Sequence, residues 1–469
     1  MKIMEILLRS CLVGLILILF SCEDQQNYLK VIPNNANIVS LFNVSEIADN
    51  LGITKTKMTS LFDSTHEEHV DNLNILSVFI ENPENTGIDF ASPICIFRTS
   101  AVYLVAKIND TNKLQSFLLS MNHDGVVSPV RQYEGLYNTK LFDVCEMYFD
   151  DETLLLCVSS DEYGNIPRGK EVKNLFQLED EDMFVYSDIY SEMQLKTANA
   201  DVSLYHSHYL SKGKVELMSS LNLKHNHFVL NTHVFNADKR INKLLDEIDE
   251  HTYTLKGRFA DINYKPFQWI GMGVDGEWLL NLLKSNQEIR ALLLLIERGI
   301  DIEKMIKSVN GDLSLVISDF SSLNSDKIPD ITMIAEIKNA DFLNDVDYWI
   351  SSMDDYGMKM EKIARNQYIL TYDEGILNWG VTPENELYIS TSPNFSVSNI
   401  HQQTNVYAPY NVQDNKLFMY TKLDETILSD NTHAELQALC SLLGLDVPKY
   451  LLVKSSSSRE FIIELGINP

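Results

Sequence analysis

Short apolar runs alternate with polar, turn-forming stretches along the whole chain, and several runs are followed by a capping residue and a segment with helical spacing. Ile38–Asn43 reads as a strand, and Ser45–Leu51 as a helix capped by Ser45 and closed by Gly52. Asn72–Ile80 predicts another strand, and Gly87–Phe90 lead through Pro93 into strands at Ile94–Arg98 and Ala101–Ile108. Asp110 caps a predicted helix that runs to about Met121. Two hairpin strands, Lys140–Phe149 and Thr153–Ser159, flank the acidic turn Asp150, Asp151, Glu152. Beyond a charged linker at Leu178–Asp182, Met183–Asp188 predicts a strand and Ile189–Leu195 a short helix. Val202–Tyr209 alternates like a strand, Val215–Leu221 predicts a helix, and Phe228–Phe235 is a strand leading into a helix at Asp238–Glu250. Strands, caps and amphipathic helices joined by hairpins predict an α+β fold with largely antiparallel sheet.

At about Lys265 the pattern restarts. Ile38–Leu51 reads IVSLFNVSEIADNL and Trp269–Leu282 reads WIGMGVDGEWLLNL, which sets Glu46 against Glu277 and Asn50 against Asn281. Further matches at a similar spacing join Ser120 and Met121 to Ser352 and Met353, Tyr186 to Tyr420, and Phe228 to Phe461. Gly87, Ile88, Asp89 recur as Gly299, Ile300, Asp301 at a shorter spacing, which a gain of residues between Leu51 and Gly87 explains. The chain is therefore expected to hold two tandem similar domains, each a largely antiparallel sheet with packed helices, at residues 31–258 and 259–469.

The amino terminus departs from this pattern. Lys2 and Arg9 precede an unbroken apolar run from Cys11 to Phe20, the layout of a secretory signal peptide and too short to span a bilayer. Leu19, Phe20, Ser21 and Cys22 resemble the bacterial lipoprotein cleavage pattern, so residues 1–21 are expected to be removed, Cys22 to be acylated and residues 22–30 to form a tether. One acyl chain holds a protein only marginally; the several chains that the lipoprotein resemblance implies hold it stably. Glu23 and Asp24 directly after the cysteine resemble a surface-export signal. The expected location is the outer membrane, with surface exposure favoured over the periplasm.

Charge narrows the partners. The formal net charge is −28, with 66 acidic against 38 basic residues. That disfavours nucleic acid and electrostatic adhesion to anionic lipid, and leaves membrane attachment to the covalent lipid. An extracytoplasmic protein or glycan is the expected partner. Apart from Cys11 and Cys22 the thiols are Cys95, Cys145, Cys157 and Cys440; Cys145 and Cys157 flank the Asp150–Glu152 turn and could form a disulfide, but buried free thiols are the better reading.

Candidate chemistry is sparse. GMGVDG at Gly271–Gly276 fits a dinucleotide-binding fingerprint, with Glu297 in place for a ribose. Because Ser40–Ser45, its counterpart in the first half, has no glycine, a tight strand-to-helix turn is the better reading and no cofactor is expected. His206, His208, His225 and His227 form two His-x-His pairs that could each present two imidazoles to Zn²⁺, with His233 nearby. The second half keeps none of them, so they are weak metal candidates and solvated or packing histidines first. All four tryptophans lie in the second half. Trp269, Trp278 and Trp349 replace Ile38, Ile47 and Phe117, which points to core packing, while Trp379 in a hairpin remains a possible stacking platform. His66, Glu67, Glu68 and His69 lack zincin spacing and no G-x-S-x-G occurs, so no catalytic residue is assigned.

Two strings carry a family resemblance. Tyr28–Ile53, with Ile32, Pro33, Asn34, Asn35, Ala36 before the first strand, and GIDFASPICIF at Gly87–Phe97 are similar to landmarks of an uncharacterised lipoprotein family, a domain of unknown function, in bacteroidete-type bacteria. Asn35 departs from the Asp expected there. The resemblance implies no activity and no site residues. The sequence reading is thus an envelope lipoprotein that binds or scaffolds, with an extracytoplasmic hydrolase using a non-local carboxylate pair as the alternative.

Overall fold

The computed structural model describes residues 27–52, 83–133, 135–141, 145–158, 169–210, 213–224, 227–259, 267–287, 290, 293, 301–318, 330–353, 358–372, 375–393, 395–400, 412–423, 440 and 446–467. The signal segment, Cys22, Glu23, Asp24, the predicted strand Asn72–Ile80, His66–His69, His225, Glu297 and Gly299 lie outside them. Helix and strand are mixed, and every strand pairing below is antiparallel. The described residues fall into two compact units: Asn27 to Lys224 with Val234–Ala237, and His227–His233 with the residues from Asp238 onward.

The first unit contains β1 (Ile38–Phe42), α1 (Val44–Asn50), β2 (Ile94–Arg98), β3 (Val102–Lys107), α2 (Thr111–His123), β4 (Arg131–Tyr133), β5 (Leu136–Leu141), β6 (Cys145–Phe149), β7 (Thr153–Val158), α3 (Gly169–Phe176), α4 (Asp188–Lys196), β8 (Val202–Leu210) and β9 (Gly213–Lys224). Its strands lie in the order β4-β5-β6-β7-β3-β2-β1-β8-β9. The central strands are covered on both faces. Tyr103 and Val105 of β3 face a core with Phe97, Phe184 and Tyr205, whereas Leu104 and Ala106 face a second core under α2. Burial on both faces accounts for the continuous apolar runs of β3 and β7.

The second unit contains part of β10 (His227–Ala237), α5 (Lys239–His251), β11 (Thr252–Tyr253), β12 (Gln268–Asp275), α6 (Gly276–Ser285), α7 (Ile302–Ser308), β13 (Val309–Ile317), β14 (Ile331–Ile337), α8 (Val346–Met353), β15 (Lys359–Ala364), β16 (Gln367–Tyr372), β17 (Gly375–Val381), β18 (Glu386–Ser390), β19 (Leu417–Lys422), β20 (Tyr450–Ser457) and β21 (Glu460–Gly466). Its order is β15-β16-β17-β18-β14-β13-β12-β19-β20-β21, followed by His227–His233 of β10. The same two-faced burial recurs: Ile334 of β14 faces one core, and Met333, Ala335 and Ile337 face another beneath α8.

Several expectations are corrected. Val215–Leu221 is not a helix but part of β9, hydrogen-bonded to β8 over its length. Met183–Asp188 is not a strand: Phe184–Tyr186 is a single 3-10 turn whose Phe184 is fully buried. Tyr186 therefore has no structural counterpart in Tyr420, which lies in β19. The predicted strand Lys140–Phe149 divides into β5 and β6. Helix α1 begins at Val44 with Asn43 at its cap position, two residues ahead of the expected Ser45 cap. Tyr28 and Leu29, expected at the end of a tether, form a 3-10 turn and are buried in the first unit's core.

GMGVDG is not a turn. Gly271–Asp275 complete β12 and Gly276 opens α6, with Asp275 accepting the Trp278 amide at 2.9 Å. A side chain at Gly273 would strike the Tyr253 backbone, and one at Gly276 the Ile306 and Val309 carbonyls, so close backbone approach explains these glycines. Cys157 stands opposite Glu146, not Cys145. One residue of register puts the two thiols on opposite faces, and both are free. Burial, with smaller effects from Glu146 and Cys145, pushes the Cys157 thiol up to about 12.

Candidate functional site

A groove of about 570 Å³ lies beside α2 in the first unit. Local sequence chemistry places its walls. Asp110 caps α2 by accepting the Lys113 amide at 3.0 Å. Gly87, at φ +75°, passes so close to the helix start that an added Cβ would come within 2.7 Å of the Leu114 nitrogen. At the other end Gly125 adopts φ +76°, Val126 donates to the Met121 carbonyl at 3.0 Å, and the Asn122 amide donates to the Val127 carbonyl at 2.6 Å. These bonds fold the chain back so that Pro129–Gln132 run beside the helix they follow.

One wall of the groove is a stripe of α2 residues at helical spacing: Asn112, Gln115, Ser116, Leu119 and Asn122. The facing wall carries Arg131, Gln132 and Tyr137. The Tyr137 ring is held by stacking on Phe149 at 5.0 Å, and Leu119 is 60% exposed. Amide side chains both donate and accept, so this lining suits a ligand rich in hydroxyl or amide groups. Arg131 adds one cation that favours a neutral or anionic ligand. Sequence reading missed this site, although it leaves a trace. The outward stripe of α2 carries amides and hydroxyls where a solvated helix face ordinarily carries charge.

A non-local carboxylate pair does exist in the second unit, but its oxygens are committed. Glu336 of β14 and Glu386 of β18 are cross-strand neighbours. Arg258 joins them, with Nη1 2.9 Å from Glu336 and Nε 2.8 Å from Glu386, and Lys256 Nζ lies 2.9 Å from Glu336. The Asp312 amide donates to Glu336, the Thr382 hydroxyl donates to Glu386, and Glu386 is fully buried. Burial alone would raise the Glu336 carboxyl, but the bonds from Lys256, the Asp312 amide and Arg258 outweigh it and hold the carboxyl below its ordinary range. These bonds tie β14 and β18 to the chain at Lys256 and Arg258.

The histidine candidates are dispersed in chemistry. His206 and His208 share a face of β8, with ring centroids 5.6 Å apart. Burial, the neighbouring His208 and Arg98 all lower the His206 pKa. His227 instead meets Glu464 at 2.8 Å, and Glu464 also accepts from the Tyr450 hydroxyl. Among the described residues no three His, Cys, Asp or Glu side chains come together as metal ligands. Trp379, the candidate stacking platform, is only 1% exposed and stacks on Tyr368 at 4.6 Å inside the core. Trp269 and Trp349 are buried likewise, and Trp278 is half-buried. No helix among the described residues is long and apolar enough to cross a membrane.

Comparison with curated proteins finds no match. Among solved structures, crystal forms III and IV of TP0453 are similar at TM-scores of 0.29 and 0.28, with 11% identity, covering 48% of this chain and 88% and 87% of theirs. Residues 28–437 match the model of the family described as Domain of unknown function (DUF4836), and the chain belongs to that family.

Proposed function

We propose that this protein is a lipid-anchored binding or scaffolding protein of the outer membrane in a bacteroidete-type bacterium, built from two copies of one α+β domain. The groove beside α2 is its ligand site. The observation that carries the binding role is the groove's lining, in which amides, a hydroxyl, one guanidinium, a tyrosine ring and an exposed leucine converge without an acidic group. That mixture suits an extracytoplasmic glycan, whose hydroxyls pair with amides and whose ring faces lie against Tyr137 and Leu119.

Duplication is supported by strand order. The sequence β4-β5-β6-β7-β3-β2-β1-β8-β9 has the same connectivity as β15-β16-β17-β18-β14-β13-β12-β19-β20. Each set also places a helix directly after its first strand and another after its third. Lipid anchoring at Cys22 is supported by the charged start, the apolar run to Phe20 and the small Ser21 before the cysteine.

Two experiments test this reading. Cys22→Ser is expected to release the protein from the membrane fraction; a variant that still sediments with outer membranes would show the anchor to be misplaced. On an array of cell-envelope and extracellular glycans the protein is expected to bind a subset, and Arg131→Ala with Asn112→Ala to abolish that binding without lowering Tm. Binding that survives both substitutions would place the ligand elsewhere.

A further inference from the structure

On the inner side of α2 lies a second cavity of about 190 Å³ whose lining is entirely apolar and shares only Leu118 with the outer groove. Leu114, Phe117, Leu118 and Met121 of the helix form its roof, and Met147 and Leu156 contribute from β6 and β7. No polar side chain lines it. An apolar space of this size does not hold water, since water there would find no hydrogen-bond partners.

The second unit shows what shape the space accepts. Strand order makes β6 the positional counterpart of β17, and register makes Met147 the counterpart of Trp379. Met147 is flanked by Thr139 and Leu156, and Trp379 by Tyr368 and Ile389. On the helices, Phe117 and Met121 are spaced as Trp349 and Met353 are, and all four are buried. In the second unit the Trp379 indole fills this place, stacked on Tyr368 at 4.6 Å and tilted against Trp349 at 5.9 Å. In the first unit Met147 and Phe117, which line the cavity, offer only about half as many side-chain heavy atoms as Trp379 and Trp349. The shortfall is where the cavity lies.

We propose that the cavity under α2 is a binding site for a single unsubstituted aromatic ring, or for the aryl end of a larger molecule. The space is the one an intramolecular ring occupies in the second unit, so a flat six-membered ring fits it. Met121 and Met147 add polarizable sulfur beside Phe117, which favours an aryl guest. The absence of polar lining disfavours phenols and other rings with a donor to satisfy, because a buried unpaired O–H offsets much of what the ring gains.

The test uses the protein with ¹³C-methyl methionine and three probes: benzene, phenol and hexane. Benzene is expected to shift the Met121 and Met147 methyl signals saturably and to raise Tm, with phenol weaker by about tenfold or more. Met147→Trp supplies the ring covalently; it is expected to raise Tm unaided and to abolish the response of Met121 to benzene. Should Met147→Trp fail to fold, Leu156→Phe fills the same space from the neighbouring strand and is expected to act likewise. No shift of either methionine with benzene overturns the proposal. Equal responses to hexane and benzene would show a generic apolar void and overturn the ring preference. Saturable shifts with 6-phenylhexanoate as well as benzene then assign the aryl end of a longer molecule, and shifts with benzene alone assign a free ring.

Discussion

The two units run their strands in the same order, yet they fill the space beneath the third-strand helix differently. In the second unit Trp349, Trp379 and Tyr368 pack ring against ring. In the first, Phe117 and Met147 stand in the places of Trp349 and Trp379 and line an apolar cavity. Charge is also divided unequally. The second unit ties its strands with Arg258, Lys256, Glu336, Glu386 and Asp312, whereas the first holds its buried Glu216 with Tyr205, Lys214 and Asn236. The second unit is thus filled and ionically braced beneath its helix, whereas the first has a groove on one side of α2 and an apolar cavity on the other.

The largest effect is expected where the bracing is concentrated. Arg258→Met leaves the fully buried Glu386 and the nearly buried Glu336 without their shared cation, and should destabilise the second unit by about 3–5 kcal/mol. All four tryptophans belong to that unit, so fluorescence-monitored urea unfolding reports it selectively. Lys214→Met in the first unit should cost about 1 kcal/mol, since Glu216 keeps Tyr205 and Asn236. Equal losses would break the contrast.

Trp379→Met should come next, at about 2–4 kcal/mol, because it opens in the second unit the void that the first already has. The same variant should gain a benzene-dependent rise in the fluorescence-detected Tm. A destabilised variant indifferent to benzene would mean that the two cavities are not alike.

Acid should act on the second unit more steeply than on the first. Burial by itself would raise Asp249, Glu336, Glu464 and Glu216, but hydrogen bonds from neighbouring cations, hydroxyls and amides outweigh it, and all four titrate below their ordinary values. A carboxyl depressed in the folded state adds stability above its unfolded pKa, near 4.5 for Glu and 3.8 for Asp, and that stability is lost as pH falls through the folded value. Three of these four groups lie in the second unit. Its unfolding midpoint should therefore drop faster below about pH 4.5, and Glu464→Gln should flatten part of the drop. Parallel pH profiles for the two units would contradict this. The smallest effect is expected from Arg131→Ala in the groove wall, within about 0.5 kcal/mol, as the change touches ligand binding only.

Sequence pattern carried the local elements well where a cap and a helical stripe agreed, as at Asp110 with Leu114, Phe117, Leu118 and Met121. It failed where tertiary partners override alternation. In β9, Glu216 is buried beside Val215 because three side chains donate to it, so the strand's burial loses its two-residue period and resembles a helix. The run Met183–Tyr186 is apolar because Phe184 wedges into the core, donating its amide to the Ile32 carbonyl at 2.8 Å; nothing local distinguishes that from a strand. Register was equally illegible: the hairpin between Phe149 and Thr153 sets Cys157 against Glu146, one residue from the pairing a disulfide would need. The groove left a trace in the amide stripe of α2, while the cavity beneath it could not be seen at all. It depends on Met147 and Phe117 meeting across a helix and a sheet, and on their comparison with Trp379 and Trp349.

The claim that the first unit is open where the second is filled is tested most directly by diffraction from crystals of the protein under xenon pressure. Xenon enters dry apolar cavities large enough to admit it. The account predicts one site bounded by Leu114, Phe117, Met121 and Met147, and none in the cluster around Trp349, Tyr368 and Trp379. Xenon among those three rings, or an empty space under α2, would contradict it.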